Sequence, residues 1–203
     1  MTDAIATLRE FVRSITALVS ASDDERYLIA ETRQHLVRLI EHDSWLPEAF
    51  AVPHPSRYMQ YLLHCDPQER FSVVSFVWKP GHCTPIHNHT VWGVIGVLRG
   101  AERCDEFSGV NGYPIATGTS HVMRPGDVDA VSPAIGDWHR VSNALADRTS
   151  ISIHVYGANI GAVSRHRLDD NGAIQTFISG YDSAMLPNLW DRSTAVRTTG
   201  HST

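Results

Sequence analysis

Cysteine is scarce in this chain, and none of it sits at paired spacing. Cys65, Cys83 and Cys104 form an odd, widely spaced set of 3 without a CxxC motif. That excludes a zinc ribbon and a disulfide framework, and reduced structural thiols are the expectation. Long apolar runs are missing too. The longest, residues 91–98, contains two glycines and falls far short of the ~20 apolar residues that a membrane span needs. No membrane partner is expected. An excess of positive charge is also absent: 17 Lys and Arg are scattered among 22 Asp and Glu, for a net charge of -5. A nucleic-acid-binding surface is excluded on that ground. Neither a basic region nor an apolar block follows Met1-Thr2-Asp3, so a cytoplasmic protein is expected.

What is present suits one folded domain spanning 1–203, with 42% hydrophobic and 19% charged residues. Residues 1–45 read as helical. Ile5, Leu8, Val12, Ile15 and Val19 recur at three- and four-residue steps, placing them on one helix face. A second helix is expected to start near Ser22 or Asp23, whose side chains can cap its first amides, and to run to about Ile40. From about Arg57 the pattern turns to short β-rich runs at 71–78, 91–98, 121–124, 139–142 and 149–156. Turn signals punctuate them at Pro80-Gly81, Arg99-Gly100, Asn111-Gly112 and Pro125-Gly126. Many short strands at this spacing predict a mainly β sandwich or barrel over about 57–180, with N-terminal α-helices. The polar stretch 183–203 is expected to wrap the surface or to be partly disordered.

Histidine is abundant, at 12 residues, and it is the commonest metal ligand. In Pro85-Ile86-His87-Asn88-His89, residues two apart on a strand point to the same face, so His87 and His89 can converge on one ion. Taken alone, the pair fits a metal site or two partly buried structural histidines equally well. Its surroundings add weight. Gly81 lies six residues before His87 and Gly100 eleven after His89, and Gly126, Pro133, Gly136, His139 and Asn143 follow in order. These two blocks resemble the paired motifs of the cupin superfamily, small jelly-roll β-barrels in which an HxH pair and a later His bind a metal. Pro133 and Gly136 are one residue further apart than the usual pattern.

Most metal-binding cupins place a Glu ligand four or five residues after the second His, where this chain has Gly93 and Val94. The missing carboxylate and the spacing resemble the cysteine dioxygenase family of thiol dioxygenases, from about Arg57 to Arg165. The resemblance implies ferrous iron, Fe(II), on His87, His89 and His139. A strictly alternating segment, 149–156, puts Ile151, Ile153 and Val155 on one face and Ser152, His154 and Tyr156 on the other. The second trio is either a solvent-facing polar row or an internally hydrogen-bonded one. It resembles the Ser-His-Tyr relay beside the iron of thiol dioxygenases, which implies that Tyr156 faces substrate or oxygen and that His154 and Ser152 hold it.

Mammalian-type relatives carry an Arg for the substrate carboxylate where this chain has Gln60, and a crosslinking Cys where it has Gly93. Both changes resemble the bacterial 3-mercaptopropionate dioxygenases. That subgroup implies a different carboxylate-binding Arg, for which Arg165 is the candidate and its neighbour Arg167 the alternative. The implied reaction adds both atoms of O2 to the sulfur of a small thiol carboxylate, 3-mercaptopropionate before L-cysteine, to give a sulfinic acid. Another metal-dependent cupin enzyme and a non-catalytic cupin binding module remain as alternatives. His35, His42, His54, His64, His82, His121, His166 and His201 lack partners at ligand spacing and are expected to be structural or exposed. Trp78, Trp92 and Trp138 flank the motifs and are expected to wall the pocket or the core.

Overall fold

The computed structural model describes residues 5–183, together with residues 193, 196 and 197. The expected polar tail, 183–203, lies almost wholly outside the described residues. Two helices come first, α1 (Ala6–Ala21) and α2 (Glu25–Ile40), followed by ten strands. These are β1 (Met59–Cys65), β2 (Ser72–Trp78), β3 (Gly93–Arg99), β4 (Glu102–Val110), β5 (Tyr113–Met123), β6 (Val128–Val131), β7 (Trp138–Asn143), β8 (Ser150–Tyr156), β9 (Arg165–Leu168) and β10 (Ile174–Phe177). The architecture is therefore mainly β with N-terminal α-helices, a jelly-roll arrangement of facing antiparallel sheets.

One sheet has the order β1-β2-β8-β3-β6. Opposite it stand β5-β4-β7 and the pair β10-β9. Residues 83–89 close the gap between those two pieces. Cys83 bridges to Ser142, and His87 bridges to His139 on one side and Arg167 on the other. That irregular strip is where the HxH pair sits, so the pair rides on an extended bridging segment and not on a regular strand.

The helices explain why β2, β3 and β8 are buried on both faces. Leu36, Leu39 and Ile40 of α2 join Val73, Val77, Val94, Leu98, Ile151, Ile153 and Val155 in one cluster on the outer face of the large sheet. The approach is close. A Cβ on Gly96 of β3 would lie 2.8 Å from Ile40 Cδ1 and 3.1 Å from Leu36. The inner face of the same sheet looks across to the second sheet, so side chains there are enclosed as well. Strands covered on both faces lose the alternating signature, which is why β2 reads as the run SVVSFVW.

Several local expectations need correction. The α1 face buries Leu8, Phe11 and Ile15 with Val12 and Val19 half-buried against the same core, as expected, while Phe11 was not foreseen on it and Ile5 precedes the helix and is exposed. Asp24, not Ser22 or Asp23, caps α2, accepting from the amides of Arg26 (3.0 Å) and Tyr27 (3.3 Å). The expected strand at 121–124 is the end of the longer β5. The rest of β5 and the whole of β4 carry no clear strand signature because their outer ends are polar and exposed. Their turn was legible: Asn111 (φ 52) and Gly112 (φ 80) form the two-residue link between Val110 and Tyr113.

Candidate metal centre

His87 and His139 are hydrogen-bonded to each other through their backbones, each amide donating to the other's carbonyl at 3.0 Å. This pairing places the two rings side by side, and His89 follows on the same strip. The three ring centroids form a nearly equilateral triangle of 4.9, 4.8 and 4.9 Å. Their ligand nitrogens all lie within 4.8 Å of one another.

Each ring is also held from outside. Nδ1 of His87 lies 3.1 Å from the Pro85 carbonyl, Nδ1 of His89 lies 2.9 Å from Asp137 Oδ1, and Nδ1 of His139 lies 3.5 Å from Cys104 Sγ. With Nδ1 as the donor in every pair, all three Nε2 lone pairs are left free to face a common centre. Burial drives the basicity of the rings down: His139 to about 4, His87 and His89 well below the ordinary histidine range. Neutral imidazole is the form that binds metal. The donor set thus fits a divalent transition ion, and the residues present would supply three nitrogens and no carboxylate.

Asp137 was not found from the sequence. Its Oδ1 accepts from both the amide and Nδ1 of His89 at 2.9 Å, and its Oδ2 accepts from the Thr90 amide at 2.9 Å. Thr90 needs the help, because its φ of 59 puts a β-branched residue in the left-handed region. No short-range pattern announces a contact between positions so far apart in sequence.

The polar row of β8 is not solvent-facing. Ser152, His154 and Tyr156 are all buried. Ser152 Oγ lies 2.8 Å from His154 Nε2, and His154 Nδ1 lies 2.8 Å from the Tyr156 hydroxyl. Trp78 Nε1 adds a 3.3 Å contact to Ser152 Oγ. The Tyr156 ring stacks on His89 with centroids 5.4 Å apart, and burial raises its hydroxyl pKa. Gly93 makes room for that ring, since a Cβ there would sit 2.8 Å from Tyr156 Cδ1.

A cavity of about 290 Å³ opens at this site. It is lined by the three histidines, His154, Tyr156, Arg165, Arg167 and Gln60 among others. Arg165 is only 3% exposed, whereas Arg167 is exposed. One Nη of Arg165 donates to Ser179 Oγ at 2.6 Å, its guanidinium lies 4.6 Å over the Phe177 ring, and its buried Nε has no partner among the described residues. Burial lowers its pKa, opposed by nearby Tyr156 and Tyr58, but a guanidinium remains charged. Gln60 sits on β1, its backbone fastened to Asp182 on both sides at 2.7 and 2.8 Å. Of the tryptophans, Trp78 lines the cavity and Trp92 belongs to the outer core.

His121 departs from the expectation for an isolated histidine. Its ring, Cys104 and Asp129 bring ligand atoms within 4.8 Å of one another, a second group of metal-ligating types. The three cysteines are free, with Cys65 and Cys104 buried and Cys83 exposed. No helix among the described residues is long and apolar enough to cross a membrane.

No protein-family model matches the chain. Among solved structures, it is similar to an uncharacterized conserved protein with a double-stranded beta-helix domain from Klebsiella pneumoniae subsp. pneumoniae MGH 78578, with a TM-score of 0.45 and 15% identity, covering 64% of this chain and 91% of that one. A cupin 2 domain-containing protein from Halorhodospira halophila gives a TM-score of 0.45 and 17% identity over 60% of this chain and 77% of its own. A cupin-like protein from Thermotoga maritima msb8 gives 0.41 and 19% over the same shares, 60% and 77%.

Proposed function

We propose that this chain is a non-haem Fe(II) thiol dioxygenase acting on a small thiol carboxylate, with 3-mercaptopropionate preferred and L-cysteine next. The product is the sulfinic acid: a thiolate and one O2 become RSO2⁻, sulfur being oxidised as dioxygen is reduced. The observation that carries this reading is the pairing of a buried, incompletely satisfied cation with three neutral imidazoles in one cavity.

His87, His89 and His139 would hold the iron, which when bound supplies the redox chemistry that brings thiol and dioxygen together. With no carboxylate among the ligands, the site favours an anionic partner such as a thiolate. Arg165 receives the carboxylate at the other end of the substrate. Its free Nε–H is already desolvated, so an arriving carboxylate relieves a cost that folding has left standing. Arg167 adds a second positive charge at the exposed side of the cavity. Gln60 contributes a neutral polar wall, leaving the choice of carboxylate partner to Arg165. Tyr156 presents its hydroxyl to the reacting atoms, and His154 and Ser152 fix its direction. Trp78, Phe76 and Tyr58 line the same cavity and limit its water.

An oxygen electrode and sulfinate analysis of the iron-loaded protein test this. Rapid uptake with 3-mercaptopropionate and little with cysteamine, which lacks a carboxylate, is the expected result. Equal rates with cysteamine would remove Arg165 from its role. Silence with every thiol would favour another metal-dependent cupin enzyme or a binding module.

A further inference from the structure

Behind the His139 ring lies a second set of ligating side chains. Cys104 on β4 and His121 on β5 stand directly opposite each other. Asp129 comes from β6, and its Oδ2 lies 3.1 Å from His121 Nε2. The sulfur, one ring nitrogen and one carboxylate oxygen all lie within 4.8 Å of one another. β5 is an edge of the three-stranded sheet and β6 an edge of the five-stranded one. The three side chains therefore meet where the two sheets come together, close to the turn 124–127 that joins them.

Ligand atoms around a tetrahedral ion stand roughly 3.3–3.6 Å apart, as follows from bonds of about 2.0–2.3 Å. The His121–Asp129 pair is already close to that spacing, and the set closes when Cys104 Sγ moves in. Nδ1 of His121 faces Glu106 Oε1 at 3.4 Å, so a carboxylate stands behind this ring as Asp137 stands behind His89. Among the described residues no Lys or Arg pairs with Asp129 or Glu106, whereas Asp105 is taken by Arg140. Glu102, two residues before Cys104, is engaged elsewhere: it is buried, it accepts from Ser150 Oγ at 2.9 Å, and burial raises its carboxyl to about 7. Burial pushes the Cys104 thiol up to about 12, and Asp129 and Glu106 add to the effect. The same negative field attracts a cation, and a metal ion makes a coordinating thiol give up its proton. Cys104 is 7% exposed, while the side chains of His121 and Asp129 are 36% and 38% exposed. An ion can thus enter from solvent and keep a water as its fourth ligand.

We propose that Cys104, His121 and Asp129 form a second metal site, suited to a zinc-like divalent ion and bridging the edges of the two sheets. Binding displaces the thiol proton to solvent. The resulting thiolate and the Asp129 carboxylate balance the 2+ charge of the ion, and His121 adds a neutral nitrogen. The soft thiolate sets this donor set apart from the three imidazoles and favours zinc. Cys104 Sγ meets His139 at Nδ1, 3.5 Å away, the ring atom turned from the three-histidine centre, so both sites can be filled at once. The proposal requires no particular reaction at that centre and stands apart from the thiol dioxygenase reading.

Titration of the protein with cobalt(II) tests it, since a cobalt–thiolate bond gives a near-ultraviolet charge-transfer band that cobalt on imidazoles alone lacks. The unmodified protein should bind two equivalents, one of them with the band, and added zinc should remove the band. In His89→Ala, which disables the three-histidine centre, the band should persist. His121→Ala and Asp129→Asn alter partly exposed side chains, and each should weaken the band-forming equivalent by more than about 10-fold while leaving the other in place. Absence of the band in the unmodified protein, or a band of undiminished affinity in either His121→Ala or Asp129→Asn, overturns the proposal.

Discussion

Replacing Asp137 with Asn should weaken metal binding while leaving the barrel folded. The carboxylate has three amide or imidazole donors to satisfy, two on Oδ1 and one on Oδ2. An Asn side chain keeps only one acceptor oxygen. If that oxygen takes the Oδ1 place, the carboxamide NH2 is driven against the Thr90 N–H, and a residue in the left-handed region loses its anchor. If it takes the Oδ2 place, His89 loses both contacts and its ring is free to turn. Either arrangement leaves a donor unmatched at a cost of roughly 1–3 kcal/mol, in keeping with the ~10- to 100-fold loss of metal affinity typical when a histidine ligand loses its outer partner. Iron affinity, measured by competition with a chelator of known strength, should fall by that factor, with circular dichroism unchanged. An Asp137→Asn variant that binds iron as tightly as the unmodified protein would refute the view that Asp137 aims His89.

Three further outcomes are expected. Arg165→Gln should raise KM for 3-mercaptopropionate roughly 10- to 150-fold through loss of a charged hydrogen-bonded pair, with a smaller effect on kcat; steady-state kinetics would show the split, and an unchanged KM would contradict it. Gly93→Ala should push the Tyr156 ring by overpacking at 2.8 Å, costing about 1–3 kcal/mol in urea unfolding. Glu102 binds its proton more tightly folded than unfolded, so its contribution is full below about 4.5 and is lost as pH rises toward about 7. Glu102→Gln should therefore gain on the order of 3 kcal/mol relative to the unmodified protein between acid and mildly alkaline pH, as read from paired unfolding curves; parallel curves at both pH values would count against it.

The three clustered histidines were legible because their neighbours carry short-range signals: a period of two, flanking Pro and Gly, and a second block with its own turn residues. The row on β8 was legible for the same reason, as alternation is a local property of one strand. Whether that row faced water or the barrel was not, because the answer depends on α2 covering the opposite face of the sheet. Asp137, Glu102 and Cys104 looked like ordinary surface or core residues. Each gains its meaning from a partner on another strand or segment, at His89, Ser150 and His139 respectively. Arg165 is set apart from Arg167 by its burial and its bond to Ser179, features of β9 that local pattern did not foresee, so the sequence could favour Arg165 without dismissing its neighbour.

The paired backbone bonds between His87 and His139 have a bearing on how the site matures. Two of its three candidate ligands are stitched together by main chain alone, so their alignment does not wait for an ion to arrive. The polypeptide can complete its barrel first and be charged afterwards, and an ion that escapes leaves behind a receptacle ready for the next. Occupancy then follows the supply of metal around the protein and owes little to the history of its folding.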